Sequence, residues 1–385
     1  MNIVSAAPQP PMRRLTFMAL IALLVTLLSA CETPIPSPGP LPELYLPGVR
    51  EIPGVSTLHP GVGRGIISGL GSANGTLDTT TYSSIALFRL DSDLYRIGLD
   101  GSDPTPLGRD CRDSGGSGFS TTADGHWLLC PAYPDQVTLV PLPAADPHET
   151  EHALHLLTPS GSGITQVVGN ITISPDGRYL ALLTGEFGGC SIALYSLSAA
   201  YDQAPLTAII YIMSNSASTQ PGVSGTCDFH GPAWSPDGPD GPWLAFTCGY
   251  RCGVFMFPLQ PYLQQIKASS HLMSFTLDPA KLVSVAQNDY AKPYPSWTVG
   301  PDGLRLNYIL GPRVDTIEQL SLSTRQMKIL VKIPSEDYKD GVLDGLAPAP
   351  NYRSLIFVHS RTPPCVECLS GKIPSHLYIY VPADA

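Results

Sequence analysis

The string His148-Glu149-Thr150-Glu151-His152 sets two imidazoles four positions apart with a carboxylate beside the first. On a helix that spacing brings both rings to one face, where they hold zinc while the glutamate activates a water. Asp146 and Pro147 would cap such a helix and start its first turn. Glu151 adds a second negative charge inside the string, however, and the string falls between two strand-like runs. We therefore read it as a solvated loop and expect no metal at His148 and His152. Cys248 with Cys252, and Cys365 with Cys368, have spacings used in metal and redox chemistry. Zinc needs two such pairs to converge, and thiol exchange needs the first cysteine at a helix N-terminus. The surrounding sequence offers neither, so structural disulfides are expected. The chain has no Gly-x-Ser-x-Gly nucleophile turn and no phosphate-binding loop ending in Lys-Ser or Lys-Thr. Neither a catalytic set nor a cofactor is expected.

Cys31 stands apart from the other cysteines. It follows an uncharged, mostly apolar run from Leu15 to Leu28, which Arg13 and Arg14 precede. That run is shorter than the roughly twenty apolar residues of a membrane-spanning helix and fits the core of a signal peptide. Leu28-Ser29-Ala30-Cys31 resembles the bacterial lipobox. The resemblance implies cleavage before Cys31, diacylglycerol on its thiol and, in many bacteria, further N-acylation. Its chemistry is sensible, because small side chains open the backbone to the peptidase and a thiolate is readily alkylated. Several acyl chains give a stable anchor where one is marginal. The Arg pair lacks the rest of a twin-arginine motif, so ordinary Sec export is expected.

The segment after Cys31 carries Pro34, Pro36, Pro38, Pro40, Pro42 and Pro47, a composition that makes a semi-rigid extended spacer. The expected organisation is a signal peptide over 1–30, a lipidated cysteine with a Pro- and Gly-rich spacer over 31–78, and a folded domain over 79–385. From Cys31 onward the chain has 20 basic and 32 acidic side chains, a formal charge of −12. This balance excludes nucleic acid and an anionic membrane surface as partners. Without Cys31 eight cysteines remain, an even number in a compartment where disulfides persist.

The elements that must position any site come from a repeat. Phe119–Cys130 and Ile171–Leu183 each read as strand, Asp-Gly turn, strand. Pro232–Cys248, with a doubled Pro-Asp-Gly, and Pro295–Ile309 follow the same plan. Gly345–Val358 is a degenerate copy with Asn351 at the turn. Asp-Gly between alternating apolar runs is a tight-hairpin signal, since Gly accepts positive φ and Asp folds onto the local backbone. The turns at Asp124, Asp176, Asp237 and Asp302 give a loose period. Third and fourth strands follow in most units, and Ser84–Leu90 with Asp93–Gly101 belong to an earlier unit. The fold expected is all-β, a β-propeller of six four-stranded blades after the signal peptide and spacer. A strand from the segment between Leu44 and Leu58 would complete the last blade. A pair of β-sandwiches is the alternative fold. Ser-Pro-Asp-Gly before an apolar strand, at Ser174 and Ser235, resembles the WD-like repeats of TolB-type propellers.

That resemblance implies protein partners in the cell envelope. The function expected is a monomeric, membrane-anchored extracytoplasmic lipoprotein whose propeller binds a protein, peptide or glycan. The alternative is an extracytoplasmic hydrolase with its site at the channel mouth. All eight remaining cysteines fall on the side away from the Asp-Gly turns: Cys111, Cys130, Cys190, Cys227, Cys248, Cys252, Cys365 and Cys368. Expected pairs are Cys111 with Cys130, Cys227 with Cys248, Cys365 with Cys368 and Cys190 with Cys252. Ordered loops there would lower the entropic cost of binding. His230, Tyr294 and Asp344, each read as preceding a first strand, are the candidates to line that face. Trp127, Trp234, Trp243 and Trp297 recur near the turns and are expected in the core rather than as a sugar platform.

Overall fold

A computed structural model describes residues 46–55, 58, 67–78, 81–90, 93–107, 120–122, 125–132, 136–142, 150–159, 171–186, 189–212, 229–238, 241–248, 253–286, 295–310, 315–333, 341–360 and 375–383. Of residues 67–78, 81–84, 89, 93, 131–132, 185–186, 189–190, 229–230, 248 and 344 only the backbone is described. All of them belong to one compact unit, 41–362 with 372–385.

The turn expected at Asp176 forms, and a buried hydroxyl sets its geometry. Ser174 Oγ accepts from the amides of Arg178 and Tyr179 and donates to Asp176 Oδ1 at 2.6 Å. Gly177 takes φ 69° and donates to the Ser174 carbonyl. Thr122 and Ser235 repeat the device, accepting from the amides of Trp127 and Trp243. In the degenerate copy Ala349 stands at that place, and Asn351 Oδ1 accepts from Arg353 instead. In the doubled Pro-Asp-Gly the positive φ falls on Gly241. Gly241 N–H donates to the Gly238 carbonyl, so the chain turns at Gly241, after the turn expected at Asp237.

Among the described residues the strands form six four-stranded antiparallel meanders, two of them joined edge to edge in one larger sheet. The first contains β2 (Ile67–Asp78), β3 (Thr81–Leu90), β4 (Asp93–Gly98) and β5 (Thr105–Pro106). The second contains β6 (Ser120–Thr121), β7 (Trp127–Ala132), β8 (Gln136–Pro141) and β9 (His152–Leu157). The third contains β10 (Ile171–Ile173), β11 (Tyr179–Glu186), β12 (Gly189–Ser196) and β13 (Gln203–Tyr211). The fourth contains β14 (Phe229–Trp234), β15 (Trp243–Cys248), β16 (Gly253–Pro258) and β18 (Val283–Ala286). Helix α1 (Gln260–Ala268) and strand β17 (Met273–Thr276) are inserted between its third and fourth strands. The fifth contains β19 (Ser296–Gly300), β20 (Gly303–Leu310), β21 (Thr316–Ser321) and β22 (Met327–Lys332). The sixth contains β23 (Val342–Pro348), β24 (Leu355–Ser360) and β25 (Ser375–Tyr380), and it is completed by β1 (Val49–Glu51) from the start of the fold.

The innermost strands β2, β6, β10, β14, β19 and β23 touch in sequence, and β23 returns to β2. Six apolar clusters separate successive meanders, one at each boundary, including the boundary between the sixth and the first. A closed ring of stacked meanders is a β-propeller. Its strands are sandwiched on both faces, which is why runs such as Leu180–Leu183 and Val254–Phe257 are buried without a break. Trp127, Trp234 and Trp297 are buried and Trp243 is half-buried.

Two segments expected in the spacer are part of the propeller. β1 closes the ring, as the segment between Leu44 and Leu58 was expected to do, and β2 is the missing first strand of the first meander. The folded region thus reaches back to Val49 instead of beginning at residue 79. Its second strand, Ile-Ser-Gly-Leu-Gly-Ser-Ala-Asn-Gly-Thr-Leu-Asp, reads as flexible because it is rich in Gly and its register shifts twice against β3.

Candidate functional site

The fifth meander departs from the pattern of two apolar faces. Its face toward the fourth meander is apolar, with Trp297, Leu304, Leu306, Tyr308 and Leu320 in the shared core. The opposite face carries Ser296 and Thr298 on β19, Arg305 and Asn307 on β20, Gln319 and Ser321 on β21, and Lys328 on β22. Toward one end of the strands that face is apolar again, and Ile309, Ile317 and Val331 pack on the sixth meander. Toward the Asp-Gly turns polar groups stand where core would otherwise be.

A hydrogen-bond ladder orders these groups. Gln319 Nε2 donates to Asn307 Oδ1 at 2.8 Å, and Asn307 Nδ2 donates to Thr298 Oγ1 at 2.9 Å and to the Ser296 carbonyl at 3.1 Å. The ladder crosses three strands, from the innermost one outward, and Asn307 is fully buried.

Above it sits the Gly300-Pro301-Asp302-Gly303 hairpin, in which Gly303 takes φ 105°. A Cβ on Gly300 would strike the Arg305 guanidinium, so glycine there lets Arg305 fold back onto Asp302. Arg305 Nε donates to Asp302 Oδ1 at 2.8 Å and Ser321 Oγ donates to Oδ2 at 2.6 Å. Ser323 Oγ donates to the Asp302 carbonyl. Burial opposes ionisation of Asp302, but the hydrogen bonds from Ser321 and Arg305 outweigh it and hold the carboxyl below the usual range. Both carboxylate oxygens are thus engaged, Oδ1 within the β19–β20 hairpin and Oδ2 in joining it to the β21–β22 hairpin.

Between this face and the edge of the sixth meander lies a cleft of ≈ 750 Å³. Asp302, Arg305, Gln319, Thr324, Gln326 and Lys328 line one wall, and Pro47, Gly48 and Tyr380 line the other. Gly48 is required there, because a Cβ would meet the Val381 carbonyl at 2.7 Å. The volume is in the range of small-ligand and peptide sites, about 300–1,000 Å³. The cleft opens on the side of the Asp-Gly turns.

The residues expected to form a site lie elsewhere. His230 is inside β14 and Asp344 inside β23, so both belong to innermost strands and do not precede them. Each stands before a glycine of positive φ, Gly231 and Gly345, at a register shift, which explains why the strand start was placed later. Tyr294 lies outside the described residues. His152 opens β9 and meets Trp127 edge-on, with ring centroids 4.7 Å apart. His148 lies outside the described residues. Among the described residues no group of three His, Cys, Asp or Glu side chains is placed to hold a metal. Cys130 is buried on β7 and disulfide-bonded, and every other cysteine side chain lies outside the described set.

No family model matches this sequence, and no curated protein matches it. Solved structures do resemble it. TolB from Acinetobacter baumannii shares 14% identity over 74% of this chain and 59% of that one, with a TM-score of 0.41. A periplasmic gluconolactonase of Pseudomonas aeruginosa shares 15% over 80% of this chain and 82% of its own, at 0.40. An auxiliary nutrient binding protein from Bacteroides thetaiotaomicron shares 8% over 83% and 70%, at 0.45. This chain therefore spans 59% of the TolB chain. The propeller rests on the strand pairing described above, and none of these likenesses assigns an activity.

The cleft did have a sequence signal. In a sandwiched propeller strand both faces should be apolar, yet Gly-Leu-Arg-Leu-Asn-Tyr-Ile-Leu alternates from Leu304 to Tyr308, and Thr-Ile-Glu-Gln-Leu-Ser is mostly polar. Period-two alternation ordinarily marks a solvent face, and here it marks a boundary whose core is partly replaced by polar groups.

Proposed function

We propose that the chain is a lipid-anchored extracytoplasmic binding module that holds a protein, peptide or glycan segment in the cleft between its fifth and sixth meanders. The observation that carries this reading is the pair Gln319 and Arg305, which line the cleft and are held by buried Asn307 and by Asp302, at a boundary that is apolar at its other end. Buried polar groups cost stability unless they are satisfied, and here they are held in fixed positions by one another. Groups fixed in advance lower the entropic cost of capturing a ligand. Asp302 serves as a structural carboxylate in this reading, since its two oxygens are already engaged. Anchoring through Cys31 would place the module outside the cytoplasmic membrane, where the acidic balance disfavours nucleic acid and suits a protein or glycan partner.

Site-specific photo-crosslinking in the native envelope tests the reading. A cross-linker at Gln326 should give a discrete adduct that is absent when the cross-linker stands at Lys267 on α1. Equal adducts at both places, or turnover of lactones or glycans by the purified protein, would overturn it.

A further inference from the structure

The outer edges of the six meanders are not equally protected. An exposed strand edge invites pairing with another chain, and proteins blunt such edges by shortening, covering or interrupting them. β5 is two residues long and ends in Pro106. β1 is three residues long, between Pro47 and Pro53. β9 and β13 pair with each other in parallel, and the rest of β13 is covered by β17. β18 has four residues and presents no strongly exposed large apolar side chain. β22 has six residues, ends its sheet, and carries Met327 and Ile329, each 54% exposed. These are the two most exposed large apolar side chains among the described residues.

The direction of the β22 main chain follows from the ladder. Ser321 N–H donates to the Gln326 carbonyl and the Ser321 carbonyl accepts from Arg325 N–H, so the main-chain groups of Ser321 face the β22 side. Antiparallel pairs alternate, which turns the main-chain groups of Lys328 toward β21 and those of Met327 and Ile329 outward. Among the described residues no strand pairs with this outward edge, and the residues that face it with their backbone are those whose side chains are exposed and apolar. The charge is also distinctive. From Leu322 to Ile333 the chain has Arg325, Lys328 and Lys332 and no acid, within a protein of net charge −10. Lys328 and Leu330 line the same cleft that holds the polar ladder.

We propose that β22 is the acceptor for strand addition: an extended, acidic peptide segment of an envelope partner pairs with its outer edge and sends side chains into the cleft. Outward amides and carbonyls supply the backbone bonds, Met327 and Ile329 supply apolar contact, and the flanking cations select acidic side chains. This rests on the binding reading of the same cleft and specifies the form of its ligand.

The probe is a synthetic octapeptide of alternating Glu and Val, added to the purified full-length protein, with a Lys-Val octapeptide as control. Residue-resolved hydrogen exchange should show the Met327 and Ile329 amides slowed by at least about tenfold with the Glu-Val peptide, with no change at Val283–Ala286. N-methylation of alternate residues along one edge of the peptide should abolish the effect. Met327→Pro removes one outward N–H without touching the β21 ladder and should weaken binding at least about tenfold. Where that variant fails to fold, the pair Met327→Glu with Ile329→Glu should do the same by reversing apolar contact and charge. Unchanged affinity in the variants, equal binding of the Lys-Val peptide, or protection by phosphatidylglycerol vesicles in place of the peptide would overturn strand addition. A cross-link at Gln326 without amide protection would leave the cleft a binding site and remove only this form of ligand.

Discussion

His376 Nδ1 lies 2.8 Å from Glu51 Oε1, across a chain separation of 325 residues. This contact joins the strand that opens the fold to the last strand of the last meander, and around it Val49 pairs with Tyr380 and the Ile52 amide with the Leu377 carbonyl. Burial rather than the ion pair carries most of the closure. Ile52 is fully buried against Ile356, Leu377 and Ile379, whereas Glu51 and His376 are partly exposed. Urea unfolding should therefore show a loss of about 2–5 kcal/mol for Ile52→Ala. Glu51→Gln should cost below about 1 kcal/mol. A larger loss for Glu51→Gln would make the latch electrostatic.

Ser174 is buried and its hydroxyl serves two amides and one carboxylate. Ser174→Ala leaves the buried Tyr179 amide without its acceptor, while the Arg178 amide keeps Asp176 Oδ1, so a loss of about 1–3 kcal/mol is expected. Ser198→Ala removes an exposed hydroxyl that bonds Asp202 and should change stability by well under that amount. Parallel thermal melts of the two variants check the contrast.

The propeller was legible where turn chemistry repeats. Thr122, Ser174 and Ser235 stand at the same step before their turns, and the strands after them are apolar on both faces. β2 was not legible, because its glycines and register shifts erase both periodicity and apolar content. The helical insertion of the fourth meander was missed for another reason. Its buried face is only Tyr262, Leu263 and Ile266, a short stripe directly after a proline. The polar cleft needed the fold first, since alternation in β20 and the polar content of β21 become unusual only once those strands are known to be sandwiched.

Cys31 is proposed as the anchor on the strength of the lipobox and the spacer behind it. Cys31→Ser should leave the chain uncleaved or unanchored. Metabolic labelling with a fatty-acid analogue checks this, and equal label in the variant would remove the anchor from the proposal.

The buried, disulfide-bonded Cys130 is proposed to pair with Cys111, which precedes the first strand of the same meander. Mass spectrometry of the unreduced protein should find a peptide joining the two. Loss of that bond should cost about 2–5 kcal/mol. A link from Cys130 to another meander would instead tie neighbouring units together.

Asp302 gives the fifth meander a defined acid dependence. Its folded-state carboxyl ionises below the usual range, against burial, because Ser321 and Arg305 bond the charged form. A depressed folded pKa adds stability that is complete above the ordinary aspartate value, about 3.9, and is lost as pH falls through the lower folded value. Asp302→Asn keeps the shape but weakens both bonds, so it should cost about 1.5–3 kcal/mol at neutral pH. The wild-type and variant stability curves should converge below about pH 4, because protonation removes from the wild type what the substitution has already removed. Urea unfolding of both proteins between pH 3 and pH 7 reads this directly. A difference that does not begin to shrink at the acid end of that range would show that the Asp302 charge contributes nothing and that the loss comes from an amide donor set against Arg305 and Ser321.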